Sequence, residues 1–293
     1  MFIATLIAAD GIDQGRISES MDRLAEAGCA PVAGGWLDEG VAADLLFGLN
    51  ADAARAALEG VFPATDVVVQ AQFTRAKKLL VADMDSTMIT VECIDELADY
   101  AGIKPQIAAV TEAAMRGELD FEAALNARVE LLAGLDESVI ARCLAERVRI
   151  MPGAVALVRT MRARGARCVL VSGGFTRFAE PVAAEIGFDR AIANRLGVAD
   201  GRLTGQVALP IIGSAAKLET LEAESAAGQL QPHETLAVGD GANDLAMIRA
   251  AGLGVAYHAK PVVAAAAAAR IDHNDLTALL YAQGIARSDW VNT

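Results

Sequence analysis

Apolar and polar positions follow two different rhythms along the chain, and the change comes near residue 75. Before it, Phe2–Ala8 is a continuous apolar run of strand length, and in Ser18–Ala27 the apolar residues Met21, Leu24 and Ala25 recur at helical spacing. Pro31–Trp36 and Ala43–Leu49 are short strand candidates, Ala51–Glu59 is rich in helix formers, and Asp66–Gln70 (DVVVQ) reads as a closing strand. The order is βαββαβ, a small two-layer unit. No cluster of residues within it suggests chemistry. Gln72–Lys78 is polar and basic and reads as a linker.

Beyond the linker, the apolar strand Leu79–Ala82 stops at Asp83. Strand candidates at Cys168–Val171, Arg190–Asn194, Leu236–Val238 and Gly254–Ala256 then alternate with helical stretches at Val155–Arg164, Arg177–Ile186, Ala215–Glu224 and Asp244–Ala250. Such alternation predicts an α/β fold with a doubly wound, Rossmann-like parallel sheet covered on both faces. The block Cys93–Arg149 interrupts the rhythm with almost purely helical spacing. Its place after the first strand predicts a helical cap inserted over the carboxyl edge of the sheet. The Ala-rich tract Val262–Ala269 reads as a packed helix.

Charge and composition narrow the function. The chain has 293 residues, of which 54% are hydrophobic, enough for two domains with sizeable cores. Its formal net charge of −13 argues against nucleic acid, which calls for a basic footprint. A small phosphorylated ligand needs only a metal and a few placed cations. Cys29, Cys93, Cys143 and Cys168 are far apart with no accompanying His cluster, so they read as reduced, buried thiols of a cytoplasmic protein. The apolar opening lacks a positive lead and meets an acid at once, which reads as a first strand rather than a signal. No apolar run reaches membrane-spanning length.

Candidate chemistry begins at Asp83-Met84-Asp85-Ser86-Thr87, directly after an apolar strand. Open α/β sheets place their sites at the carboxyl ends of strands. Two carboxylates two residues apart can divide one reaction: one attacks phosphorus, and the other hands a proton to the leaving oxygen and later takes one from water. Alone, the pair is equally well explained as a solvated turn. Ser172-Gly173-Gly174 follows Val169–Val171 and offers a hydroxyl and exposed N–H groups for an oxyanion, though any turn can read so. Lys217, after the Gly213-Ser214 turn, supplies a cation but is one lysine among many. Gly239-Asp240-Gly241-Ala242-Asn243-Asp244 follows Leu236–Val238 and supplies hard oxygen ligands of the kind Mg²⁺ takes.

In this order these pieces resemble the haloacid-dehalogenase-type phosphohydrolases over about residues 79–280. The resemblance implies that Asp83 is the nucleophile and Asp85 the general acid/base. It implies Mg²⁺ held by Asp83, the Asp85 carbonyl and Asp240, with Asp244 ordering its water shell. Ser172, Gly173, Lys217 and Asn243 would hold the phosphoryl group. The segments DMDSTMITVECIDELA, MRGELDFEAALNARVELL, SGGFT, ANRLGVADGRLTG and VGDGANDLAMI narrow the resemblance to the phosphoserine phosphatases. For these it implies that Glu92 takes the substrate ammonium and Arg128 its carboxylate, with Met115 and Phe121 lining the cap. The implied reaction is hydrolysis of O-phosphoserine, the last step of serine synthesis. Phosphohomoserine and phosphoethanolamine stand as alternative substrates.

Residues 1–72 lie outside that pattern and resemble the small regulatory ACT domains, with a regulatory or structural role and a surface for a homodimer. The phosphatase unit is expected over 73–293, its cap over about 93–149. His233, His258 and His273 match no catalytic position, and Trp36 and Trp290 read as packing or surface residues.

Overall fold

The computed structural model describes residues 1–115 and 118–291. Its N-terminal elements are β1 (Phe2–Ala8), α1 (Gln14–Glu26), β2 (Pro31–Asp38), β3 (Ala42–Phe47), α2 (Ala51–Leu58) and β4 (Thr65–Ala71). The four strands form an antiparallel sheet in the order β2-β3-β1-β4. Ile17, Leu24, Ala54 and Leu58 of the two helices bury against Leu6, Leu45 and Phe47 of the sheet. Helix α1 starts four residues earlier than its apolar spacing predicts. The reason is local: Asp13 caps it, accepting a 2.8 Å bond from the Arg16 N–H.

Beyond the linker come β5 (Leu79–Ala82), α3 (Cys93–Ala101), α4 (Lys104–Met115), α5 (Phe121–Glu130), α6 (Ser138–Glu146), α7 (Ala154–Ala163), β6 (Arg167–Phe175), α8 (Thr176–Ile186), β7 (Arg190–Ala199) and β8 (Arg202–Ala208). They are followed by α9 (Ser214–Ala227), β9 (Thr235–Gly239), α10 (Leu245–Ala250), β10 (Leu253–Tyr257), α11 (Pro261–Ala264), β11 (Ala269–Ile271) and α12 (Ala278–Ala282). The seven strands run in the order β11-β10-β9-β5-β6-β7-β8. All neighbours pair parallel except β8, which returns antiparallel to β7. β5 is central, so the chain leaving it at Asp83 emerges mid-sheet, with the ends of β6 and β9 on either side.

Two sequence expectations are corrected. β8 is a strand that the helix–strand rhythm did not predict, because it is half of a hairpin rather than a crossover unit. Asp200 and Gly201 turn with positive φ of 50° and 73°, the Asp-Gly signature of a two-residue loop. The tract Val262–Ala269 is not one helix: only its start is helical, and Ala269 opens β11, paired with Val255. Pairing across the sheet there overrides the helix propensity of alanine.

Helices α3 to α6 sit between β5 and α7, and the two ends of this insertion are pinched together. Ile89 bridges Ile150, and the Thr90 N–H donates to the Arg149 carbonyl at 3.0 Å. Leu97, Leu125, Val129, Ile140 and Cys143 bury into the same apolar cluster as Leu80 and Leu170 of the sheet. The N-terminal sheet is fastened at the opposite flank. Asp66 of β4 accepts the N–H groups of Asp272, His273 and Asn274 at 2.8, 3.2 and 2.9 Å, while Arg75 pairs with Asp44 at 2.8 Å and donates to the Tyr281 carbonyl at 3.0 Å. All four cysteines are buried and free. Among the described residues no helix is long and apolar enough to cross a membrane.

Candidate active site

Asp83 follows the four buried residues of β5 and is held by its own N–H, which donates to the Val238 carbonyl at 3.0 Å. Its carboxylate meets Lys217 from α9, with Nζ 2.5 Å from Oδ1. Lys217 also reaches Asp244 Oδ1 at 2.6 Å, and Asp244 Oδ2 accepts the Gly241 N–H at 3.0 Å. That last bond closes the turn after β9 and aims the acidic loop back at β5. Asp83, Asp240 and Asp244 each place a carboxylate oxygen within 4.8 Å of the others.

Three carboxylates around one ammonium leave a surplus of negative charge in a buried place, and the groups respond together. Burial pushes Asp83 well above the ordinary carboxylate range, with Lys217 pulling the other way. Asp240 rises to about 6 through burial, helped by the charges of Asp244 and Glu92. For Lys217, burial acts to lower the pKa, but Asp83 and Asp244 outweigh it and hold the ammonium above the usual lysine value. Clustered hard oxygens with unneutralised charge suit a divalent cation. Asp83, Asp240 and Asp244 form an acidic metal site.

Asp85 lies outside that set. Its Oδ1 accepts the Cys93 N–H at 3.0 Å, and Oδ2 lies 3.5 Å from Ser172 Oγ. Burial, followed by the nearby Glu92 charge, raises it to about 7, so it can hold or release a proton near neutrality. Ser172 is fully buried at the end of the regular part of β6, and its Oγ accepts the Gly174 N–H at 2.8 Å.

These groups face a cavity of about 650 Å³ between sheet and cap. Its sheet side carries Asp83, Asp85, Gly173, Asp240 and Asn243, and its cap side Glu92, Phe121 and Arg128. Ser172 and Lys217 belong to the site but stand behind its wall, both without solvent exposure. Glu92 accepts a 2.7 Å bond from Ser86 Oγ. Burial lowers the Arg128 pKa, and the charges of Asp95, Glu92 and Asp85 act against that. Phe121 opens α5 and lies on two glycines: a Cβ built on Gly213 would stand 2.9 Å from its ring, and one on Gly173 3.3 Å. Met115 ends α4, but its side chain lies outside the described residues.

The sequence reading passed over several residues here. Asp95 and Lys260 line the same cavity, and Thr87 Oγ1 lies 3.4 Å from Asp240 Oδ1. Asn194 of β7 is a buried clamp: Nδ2 donates to the Gly173 and Ile212 carbonyls at 2.9 and 3.0 Å, and Oδ1 accepts the Ile212 N–H at 2.7 Å. It ties the Ser172-Gly173-Gly174 loop to the segment that leads into α9. Asn194 stands in the quoted ANRLGV segment, yet only the fold gives it partners.

Comparison with known proteins places this geometry. Residues 80–249 match the family model of haloacid dehalogenase-like hydrolases. A phosphoserine phosphatase of Streptomyces coelicolor is 48% identical over 223 residues, covering 76% of this chain and 54% of that protein. The chain therefore matches about half the length of that relative. The crystal structure of a probable phosphoserine phosphatase from Vibrio cholerae, unliganded, aligns with TM-score 0.79 at 32% identity over 98% of this chain and 87% of that one. A phospho-aspartyl intermediate analogue of phosphoserine phosphatase aligns with TM-score 0.65 at 38% identity, covering 70% of this chain and 98% of that one. The family match spans every strand-end loop that carries the acidic site, and the chain belongs to the haloacid dehalogenase-like hydrolases.

Proposed function

We propose that the chain hydrolyses O-phosphoserine to serine and phosphate, the closing step of serine synthesis. The observation that carries the reading is one cavity with two chemically distinct ends. Asp83 and Asp85 stand at its floor, and Glu92 and Arg128 stand on its cap wall. An amino acid phosphoester has that polarity: a phosphate at one end, an ammonium and a carboxylate at the other. The names of the relatives support this substrate, and the phospho-aspartyl analogue in a related fold supports a covalent route.

In this mechanism the Asp83 carboxylate attacks phosphorus and the bond to the seryl oxygen breaks. Asp85 gives its proton to that oxygen, and serine leaves. Asp85 then takes a proton from water, the water oxygen attacks the phosphorus of the phospho-aspartate, and Asp83 and phosphate are regenerated. Lys217 holds Asp83 in line through its 2.5 Å contact. The Gly173 backbone, Ser172 and Asn243 hold the phosphoryl oxygens. Asp83, the Asp85 carbonyl and Asp240 would hold Mg²⁺, backed by Asp244, and the ion would neutralise charge developing on the phosphoryl oxygens. Arg128 forks onto the substrate carboxylate and Glu92 takes the ammonium. Met115 and Phe121 close the cap over the bound amino acid. Residues 1–72 act as a separate regulatory or structural unit beside a phosphatase unit over 73–293.

The test is phosphate release over a panel of small phosphomonoesters, with Mg²⁺ and with excess chelator. Phosphoserine should lead the panel over phosphohomoserine and phosphoethanolamine, and chelator should abolish turnover. Asp83→Asn, nearly isosteric, should lose turnover while keeping its melting temperature. Full activity in chelator, or in Asp83→Asn, would overturn the mechanism.

A further inference from the structure

The open side of the cavity is more acidic than a divalent cation held by Asp83 and Asp240 would offset. Asp83, Asp85, Glu92, Asp95 and Asp240 all face it. Lys217 has no solvent exposure, and its ammonium is bonded to Asp83 and Asp244. The cations that line the cavity, among the described residues, are Arg128 and Lys260. A phosphate dianion entering this acidic pocket meets one of them first, and the two stand on opposite walls.

Arg128 belongs to α5 of the cap. Lys260 belongs to the sheet side, immediately before α11. Its backbone N–H donates to the Asp240 carbonyl at 3.2 Å, which fixes its Cα beside the acidic loop that also carries Asn243. Its side chain is exposed and makes no ion-pair contact with the described residues, though its charge reaches Asp240. It is thus a solvent-facing cation, anchored through its backbone at the phosphate end of the cavity.

We propose that Lys260 is a substrate-binding residue whose ammonium pairs with the phosphate of the incoming phosphomonoester at the mouth of the site and guides it toward Asp83. The inference rests on the phosphomonoesterase reading above and adds a residue to it. Lys260 serves the phosphate end as Arg128 serves the carboxylate end. In a chain of net charge −13, a single cation at the mouth also offsets the long-range repulsion that a dianion meets on approach. A flexible, strongly hydrated lysine suits this hand-over, because it binds as a point charge and releases readily.

Lys260→Gln removes the charge and keeps most of the stem, whereas Lys260→Arg keeps the charge. Phosphate release gives KM and kcat for phosphoserine at saturating Mg²⁺, and calorimetry gives the affinity for inorganic phosphate directly. Lys260→Gln should raise KM by about tenfold, the scale of one charge-assisted contact, with kcat little changed and phosphate affinity reduced in step. Lys260→Arg should restore most of both. The gap between wild type and Lys260→Gln should close between about 0.01 and 1 M salt, as the screening length falls from about 30 to 3 Å. Unchanged KM and phosphate affinity in Lys260→Gln would overturn the proposal. So would equal damage from both substitutions, which would give the residue a role in holding the loop, or an effect confined to the Mg²⁺ requirement. Should the wild-type chain fail to turn over any phosphomonoester, the reading beneath falls, while the phosphate calorimetry still decides whether Lys260 binds the anion.

Discussion

Replacing Gly213 by alanine tests whether the cap must seat on the sheet for catalysis. The new methyl would stand 2.9 Å from both Cδ1 and Cε1 of Phe121. Non-bonded carbons rest at about 3.5–4.0 Å, so the ring would retreat by about 0.6–1 Å. The backbone adds no strain of its own, because Gly213 has φ −134° and ψ −155°, which alanine adopts. Phe121 begins α5, and Arg128 lies about two turns along the same helix. A ring pushed outward therefore carries the guanidinium with it. Displacing a positioned group by about 1 Å can cost about 10²-fold in rate, equivalent to about 2.7 kcal/mol. We expect Gly213→Ala to lower kcat/KM by about 30–100-fold with nearly unchanged melting temperature, read by phosphate release. Phe121→Ala removes the obstacle, so the double variant should be no worse than Phe121→Ala alone. Activity of Gly213→Ala within threefold of wild type would refute the reasoning. So would a double variant in which the two losses multiply, since the methyl would then be acting through α9 and Lys217 rather than through the cap.

Two further outcomes follow from the same cavity. Arg128→Ala should lower kcat/KM for phosphoserine by about 10²–10³-fold, the cost of about 2–5 kcal/mol for truncating one partner of a buried charge pair. It should barely change phosphoethanolamine, which has no carboxylate, and equal losses on both at unchanged stability would move Arg128 from recognition to cap closure. Glu92→Gln tests proton transfer: burial and the Glu92 charge together raise Asp85 to about 7, so removing that charge lowers it. The protonated form is the donor, so the alkaline fall of kcat should move to lower pH in a pH–rate profile. A fall that stays in place or moves upward would deny Asp85 the role of acid.

How much of this was legible depends on whether a residue's meaning is local. Leu79–Ala82 was readable to the residue because four buried apolar side chains meet an acid, and the structure ends β5 at that point. The acidic loop after Val238 was readable for the same reason. Where meaning depends on a distant partner, the sequence was silent. β8 takes its identity from pairing with β7, and Ala269 from pairing with Val255. Asn194 is one polar residue among others in β7 until Gly173 and Ile212 supply its three bonds. Lys260 was lost beside a tract read as helix, and only the turn that lays its N–H on Asp240 brings it to the cavity.

The same distinction explains why the chemistry is concentrated where it is. β9, β5 and β6 are neighbours in the middle of the sheet, and each runs parallel to the next. Three strand ends therefore open side by side, and each can deliver one short loop to a common point. The loop after β5 brings Asp83 and Asp85, that after β9 brings Asp240 and Asp244, and the end of β6 brings Ser172 and Gly173. Each loop is short, so its chemistry survives as a compact motif in the sequence. Selectivity has no such shelter. The groups proposed for it are divided between cap helices and loops remote in sequence, and cap meets sheet where Phe121 rests on Gly173 and Gly213. A strand-end site can keep its reaction while the cap changes its substrate, and in this chain the contact between Phe121 and its two glycines is where those two parts of the enzyme meet.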